Sequence, residues 1–369
     1  MRAELRASLL LRAREGPALL VTGPPGAGKT TLLLELAALL SREGAVPVYL
    51  DLFTAASSPE RFVGAALRAL PVESFGARLP QALEIRRLAD GGRERGAEAV
   101  QALLRLLASL DDAQGRRVVL LLDEVTEIRS LAYFAGLRGV HEPFAAALRS
   151  RRRGTLLASS FPTAARRLWS FESQEMPPLT AEELRREAGN AADAIAAASF
   201  GWPRYARVLL DARPRSSDDV ADAWATGMAL GGRLEVLARA THESLLLRSR
   251  GYGISKAVLQ AVAHEEGLNL TALVPRLGRT PGAVRDYLQW LVGVDALRMV
   301  KKRYVYVDGL LRLWVRLHGR GTPATPAEVE AVARALVATD EALPVEAAEA
   351  APAVPDAVVS RRDSLIEID

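Results

Sequence analysis

Gly23-Pro24-Pro25-Gly26-Ala27-Gly28-Lys29-Thr30 is the stretch on which the reading of this chain turns. It meets every fixed position of the pattern G-x-x-x-x-G-K-[ST]. Glycines let successive backbone N–H groups turn inward around phosphate oxygens, and the helix that follows points its positive end at the same anion. In such a loop the Lys29 ammonium reaches the outer phosphates and the Thr30 hydroxyl serves a divalent cation, with Thr31 as the next residue of the cradle. The flanks agree. Residues 18–22 form an apolar run that reads as a buried strand, and residues 30–41 have helical periodicity with Gly44 as a stop.

Further along, residues 46–52 read as a second strand. Residues 118–122 form a third, wholly apolar one that ends in Asp123-Glu124. A buried parallel strand of this kind delivers its last carboxylate to the carboxyl edge of the sheet, beside the phosphate loop. Asp123 is the candidate metal residue, and Glu124 the candidate that polarises an attacking water. One helix later, residues 155–159 form a fourth strand ending at Ser159-Ser160, with Ser160 the favoured polar group near the outer phosphate. A fifth strand is expected over 173–176. Residues 1–14, 59–70 and 97–110 read as helices, and 131–153 as mostly helix with Pro143 a candidate break. Residues 71–96 read as irregular. Strands alternating with helices predict an α/β fold with a parallel sheet. Arg166 and Arg167, on a short helix before the fifth strand, are candidates to reach the phosphate of a neighbouring subunit. The alternative is ordinary surface arginine, in a chain where 44 of 48 basic residues are Arg. After Pro177-Pro178 the strands stop. Residues 180–248 are helical throughout, and Gly201-Trp202-Pro203 opens one of those helices with Pro in its first turn.

Composition sets the limits. The 369 residues include no Cys, which excludes a disulfide framework, a thiol nucleophile and Cys-ligated metal. The four lysines are Lys29, Lys256, Lys301 and Lys302. The net charge of +4 is unevenly spread: residues 251–320 carry 11 Lys/Arg against 5 Asp/Glu, and residues 321–369 carry 3 against 10. Within the basic segment, two helices and a short turn lead to a third helix capped by Thr280-Pro281. An alternating stretch over 297–307 then turns at Lys301-Lys302-Arg303. This is the pattern of a winged helix. Arg279, Thr280, Arg285 and Gln289 would address a DNA groove, and Lys301, Lys302 and Arg303 its phosphates. A protein-docking role for the same module is the alternative. Residues 319–369 are expected to be an acidic, Ala/Pro-rich, mobile tail with one helical stretch over 326–338. No apolar run is long enough to span a membrane, and the N-terminal one is too short for a signal peptide. A cytoplasmic protein is expected.

Taken together, these elements resemble the prokaryotic AAA+ ATPases of the archaeal-ATPase type, STAND-like relatives of the origin-recognition initiators. The resemblance covers about residues 16–318 and rests on 23–30, 46–52, Asp123-Glu124, Ser159-Ser160, Pro178-Leu179-Thr180, Gly201-Trp202-Pro203 and the stretch Val307-Asp308-Gly309-Leu310-Leu311-Arg312-Leu313-Trp314. In the last of these the family has Pro where this chain has Gly309. The Arg-Glu pair that the family carries before the first strand is matched here only by Arg2-Ala3-Glu4. The resemblance implies a P-loop NTPase core (1–178), a helical lid (179–248) and a winged-helix domain (249–318). It also implies ATP with Mg2+ as cofactors, slow regulatory hydrolysis, and Pro203 beside the adenine. The expected function is a nucleotide-driven switch acting on DNA or a protein partner. The alternatives are an oligomeric DNA-remodelling or loader ATPase, and a nucleotide-binding adaptor with negligible hydrolysis.

Overall fold

The computed structural model describes residues 2–70, 78–92, 94–110, 112–113 and 116–338. The first part of the chain runs α1 (Ala3–Glu15), β1 (Leu19–Thr22), α2 (Lys29–Arg42), β2 (Val46–Asp51), α3 (Leu52–Ala55), α4 (Pro59–Ala69), α5 (Leu79–Asp90), α6 (Gly96–Ala108), β3 (Asp112–Ala113), β4 (Arg116–Asp123), a 3-10 helix (Val125–Tyr133), α7 (His141–Ser150), β5 (Thr155–Ser159), α8 (Pro162–Leu168) and β6 (Glu172–Glu175). Five of these strands pair in parallel in the order β2-β4-β5-β1-β6, and the short β3 runs antiparallel along β4. The register aligns the carboxyl ends: Thr22 pairs with Ser159, and Asp51 with Asp123. The residues that follow β1, β4 and β5 therefore emerge along one edge.

The central strands are apolar on both faces because both faces are covered. Leu19, Val21, Val119, Leu121, Leu156 and Ala158 point to one side, where Leu32, Leu33, Leu36 and Leu40 of α2 meet them. Leu20, Val48, Leu50, Leu120, Leu122 and Leu157 point to the other and pack beneath α4 to α7. All five expected strands form, and the fold is α/β with a parallel sheet, as expected.

Two expectations in this part need correction. Residues 79–90, read as irregular, form α5. Pro80 looks like a breaker in the sequence but occupies the first turn, where no N–H is needed, and Ala82, Ile85, Leu88 and Ala89 are buried along one side. Residues 131–153 are not one interrupted helix. The 3-10 helix ends at Tyr133, α7 starts at His141, and Pro143 lies in the first turn of α7 rather than at a break.

The second part is helical: α9 (Ala181–Ala188), α10 (Ala192–Ser199), α11 (Pro203–Asp211), α12 (Ser217–Met228) and α13 (Arg233–Arg248). It continues into α14 (Tyr252–His264), α15 (Leu270–Leu277), α16 (Pro281–Gly293), the antiparallel hairpin β7 (Leu297–Val300) and β8 (Arg303–Tyr306), α17 (Gly309–His318) and α18 (Pro326–Ala338). An isolated bridge between Leu268 and Tyr304 adds a third edge to the hairpin. One continuous apolar cluster runs through both sets of helices, from Leu184 through Trp224, Val258 and Leu288 to Leu336. The expected boundary near residue 249 is therefore not a gap in the packing. The expected tail also begins later than residue 319. Val329, Ala333 and Leu336 bury the apolar side of α18 in this cluster, mainly against α12 and α10, so residues 326–338 are part of the folded body. Residues 339–369 of the expected tail lie outside the described residues. Among the described residues no helix is long and apolar enough to cross a membrane.

Candidate nucleotide site at the carboxyl edge of the sheet

The loop between β1 and α2 folds around Lys29. This side chain is 4% exposed, and its Nζ donates to the carbonyls of Gly23 (2.8 Å) and Pro24 (3.1 Å), so the ammonium lies inside the loop's own arch. Burial lowers its pKa, while Glu124 and Asp123 pull it back up. Gly26 has φ 84°, in the left-handed region, and a Cβ there would stand 2.8 Å from the side chain of Arg204. Glycine is required on both counts. Ala27 is buried under the loop, Pro25 lines the adjoining cleft, and Thr31 faces outward in the first turn of α2.

Asp123, at the end of β4, is 2% exposed. Its Oδ2 accepts from Thr30 Oγ1 at 2.6 Å and from the Tyr49 hydroxyl at 3.1 Å, and its Oδ1 accepts from the Glu124 amide at 3.0 Å. Tyr49, on β2, escaped the sequence reading because its meeting with Asp123 depends on the β2–β4 register. Among the described residues, no group of three or more His, Asp and Glu could hold a metal by itself. A hydroxyl beside a single carboxylate suits a hard cation that takes its remaining ligands from phosphate oxygens and water. Thr30 and Asp123 are the residues that fit Mg2+ here.

Glu124 has φ 47°, which turns its side chain away from the line of β4 and towards β5. There it accepts from the Ser160 amide at 3.0 Å and from the Ser160 hydroxyl. Burial raises the pKa of Glu124, opposed by Lys29 and by the Ser160 hydrogen bonds. Ser159 behaves differently from its neighbour. It is fully buried, and its Oγ accepts from the Phe161 amide at 3.1 Å, so it serves the strand end. Thr30, Asp123, Glu124 and Ser160 thus line one cleft of about 310 Å3, together with Tyr49, Phe161 and Arg248. Arg248, from the end of α13, pairs with Glu127 at 2.9 Å and lies 4.5 Å over the Phe161 ring.

Two more arginines reach the phosphate loop. Arg2, 8% exposed, donates through Nη1 to the Ala27 carbonyl at 2.5 Å and through Nη2 to the Pro177 carbonyl. Its amide also donates to Glu183 of α9, so the start of the chain is held against both the loop and the helices that follow the sheet. Arg204 donates its amide to the Gly26 carbonyl at 3.3 Å and lays its side chain over that glycine. Arg204 directly follows Pro203, and Pro203 Cγ is 3.6 Å from where a Cβ on Gly28 would be. The turn that brings α11 here requires Gly201: at φ 67°, an added Cβ would stand 2.6 Å from Pro178 and 2.7 Å from the Leu179 carbonyl. The adjacency of Arg204 to Pro203 was the one available sequence signal for its place.

Other candidates lie elsewhere. Arg166 and Arg167 are exposed on α8 and line no part of this cleft. In this chain they face the end of α16 and the residues just after it, where Arg167 Nη1 lies 3.4 Å from where a Cβ on Gly293 would be and both pull down the pKa of Asp295. Arg279, Arg285 and Gln289 are exposed at and along α16. Thr280 is engaged as its cap, with Oγ1 accepting from the Ala283 amide. Lys301 and Lys302 form the exposed turn of the β7–β8 hairpin, and Arg303 donates to the Gly267 carbonyl at 2.9 Å.

Comparison with known proteins adds the following. Residues 1–137 match the family model of the AAA ATPase domain. Curated proteins give no match. Among solved structures, the chain is similar to the Walker-type ATPase paby2304 of Pyrococcus abyssi, at 15% identity and a TM-score of 0.62, over 86% of this chain and 95% of that one. It is also similar to the ORC2 protein of Aeropyrum pernix, solved as ADPNP–ADP complexes, at 15% identity and a TM-score of 0.49, over 91% of this chain and 94% of that one. At such identities a likeness bears on fold alone. The chain has the fold of a P-loop NTPase, and its first 137 residues match the AAA ATPase domain.

Proposed function

We propose that this protein binds and hydrolyses Mg-ATP, and that its nucleotide state sets how the C-terminal module engages DNA. The convergence of Thr30, Asp123, Glu124 and Ser160 on one cleft, with Lys29 held in the loop beside it, carries this reading. In it, Lys29 leaves its carbonyl partners for the outer phosphates, and the loop amides and the start of α2 hold the rest of the polyphosphate. Bound Mg2+ would neutralise phosphate charge, and Thr30 and Asp123 would hold it, with Asp123 oriented by Tyr49. Glu124 releases Ser160, orders the attacking water and accepts its proton, and a carboxyl whose pKa burial has raised is suited to that task. Ser160 returns to hold either the carboxylate or the outer phosphate. Pro203 and the start of α11 cover the loop from the lid side.

For the C-terminal module the reading is a winged helix. α14, α15 and α16 are followed by the β7–β8 hairpin, and Arg279, Arg285, Gln289, Lys301, Lys302 and Arg303 are all exposed. The net excess of basic residues over 251–320 favours a polyanionic partner over an acidic-surface-neutral one. A titration of duplex DNA with ATP, ADP and no nucleotide tests the switch. Different affinities in the three states are expected, and Lys29→Ala is expected to remove the difference. Equal affinity in all three, or no binding at low salt, would overturn it. The second reading, an oligomeric motor, rests on the exposure of Arg166 and Arg167. It requires a change in mass with ATP and loss of hydrolysis in Arg166→Ala or Arg167→Ala.

A further inference from the structure

The stretch from Val307 to Trp314 has no place in the cleft just described, yet it is tied to the phosphate loop by a hydrogen-bonded chain that runs from half-buried Arg204 to buried Tyr205 and Asp308. Arg204 lies over Gly26 of the phosphate loop. Its Nε is buried without a hydrogen-bond partner, and its Nη2 donates to the Tyr205 hydroxyl at 2.9 Å and to Thr241 Oγ1 at 2.6 Å. Tyr205 is 1% exposed, and its hydroxyl donates to Asp308 Oδ2 at 2.6 Å. The other oxygen of Asp308 accepts from the amides of Leu310 (3.0 Å) and Leu311 (3.2 Å), capping α17. One buried carboxylate therefore anchors a helix of the C-terminal module with one oxygen. With the other it fixes the tyrosine that holds an arginine at the phosphate loop. The approach is tight. Where the family has Pro, a Cβ on Gly309 would stand 2.4 Å from the Phe200 ring, so α17 begins in direct contact with the turn that leads to Pro203 and Arg204.

We propose that Tyr205 and Asp308 are positioning residues for Arg204, and that through them nucleotide occupancy and the seating of α17 are linked. The inference rests on the nucleotide-binding reading above. An arginine that donates to a tyrosine hydroxyl strengthens that hydroxyl as a donor to the next acceptor. A phosphate beside Gly26 gives the partnerless Nε an acceptor while Nη2 stays on Tyr205 and Thr241, so Tyr205 holds the guanidinium in its binding position. The tyrosine's hold on Asp308, and with it the cap of α17, tightens in step. Linkage is reciprocal, so loosening Asp308 or Tyr205 must weaken nucleotide binding by the factor through which nucleotide alters α17.

The test uses the full chain and a fluorescent ATP analogue with Mg2+. Tyr205→Phe removes one oxygen and is expected to weaken binding about tenfold, the scale for a lost buried hydrogen bond to a charged group. Arg204→Ala weakens it at least as much. In the double variant Tyr205→Phe adds nothing further, because its effect acts through Arg204. Independent effects that multiply would mean a merely structural role and would overturn the proposal, as would wild-type affinity in Tyr205→Phe. Asp308→Asn, which retains an acceptor for the cap, provides the same readout if Tyr205→Phe does not fold. Hydrogen exchange over residues 309–318 of the wild type, with and without ATP, needs no variant. A nucleotide-dependent change there supports the linkage, and identical exchange overturns it. If the wild type itself fails to bind ATP, the functional reading falls. If it binds, and Lys29→Ala abolishes binding while Tyr205 and Asp308 prove indifferent, only this inference falls.

Discussion

Glu124 shows at the scale of one residue how a strand end aims a carboxylate into a cleft. A left-handed conformation in a non-glycine residue costs about 1–2 kcal/mol, and here it aims the carboxylate across to Ser160. Glu124→Gln keeps the shape, can still accept from the Ser160 amide and can donate to its hydroxyl, but cannot take a proton. ATP binding is expected to persist while steady-state hydrolysis falls about 100-fold or more, whereas equal rates would remove Glu124 from the chemistry. Asp295 is the second informative residue. It accepts from the Thr163 amide at 3.1 Å, and burial pushes its pKa up to about 6. An unfolded chain ionises the same group near 3.9. Between those values the folded state holds the proton more tightly, so stability falls as pH rises from about 4 to about 6. It stays lower above that window, by roughly 3 kcal/mol. Asp295→Asn suits the left-handed backbone (φ 55°) and cannot ionise. Its melting temperature should exceed the wild type's at pH 7.5 and lose the decline between pH 4 and 6. A parallel decline in the variant would show that another group is responsible.

At the scale of elements, the β7–β8 hairpin closes through a two-residue turn with Lys301 at φ 48° and Lys302 at φ 65°. Both signs match a type I′ turn, in which Asn-Gly is far better tolerated than two lysines. The double substitution Lys301→Asn and Lys302→Gly is therefore expected to stabilise the hairpin by about 1 kcal/mol while removing two positive charges. DNA binding should weaken at every sequence, with a shallower salt dependence. Unchanged binding at low salt would sink the proposed role of this turn. Helix α18 makes a different point. Its composition is that of a solvated Ala-rich segment, yet Leu336 is 8% exposed and Val329 3%. Leu336→Ala should cost about 2 kcal/mol in chemical denaturation, and a wild-type midpoint would return α18 to the surface. Helix α5 was hidden for a related reason. Its arginines and Pro80 dilute an apolar side that becomes evident only once α4 and α6 are seen to cover it.

At the scale of the whole molecule, two bodies of apolar packing meet at the phosphate loop. One is the covered sheet and the other the helical cluster from α9 to α18. Arg2, Arg204, Arg248 and Asp295 all lie at contacts between segments more than 100 residues apart. Mg-ATP at about 100 times its dissociation constant should raise the unfolding free energy by about 2.7 kcal/mol, seen as an upward shift of the melting curve that Lys29→Ala abolishes. The shift should extend to the helical cluster, read by hydrogen exchange in α17. Protection confined to the sheet would mean that the two bodies respond separately.

The sequence by itself determined the parts of this protein whose physics is local. The loop from Gly23 to Thr30, the apolar strand ending in Asp123-Glu124, the strand end at Ser160 and the alternating basic hairpin each contain, within about a dozen residues, the backbone and side-chain requirements for what they form. The tertiary structure alone decided what depends on register and long-range contact. Tyr49 reaches Asp123 only because β2 pairs with β4, Arg2 enters the loop from the chain's start, and Tyr205 meets Asp308 across 103 positions. Hydrophobic periodicity records which side of an element is covered but not by what, so no local pattern announces a buried hydrogen bond between distant segments. It is through such bonds that the nucleotide loop and the C-terminal helices become one structure.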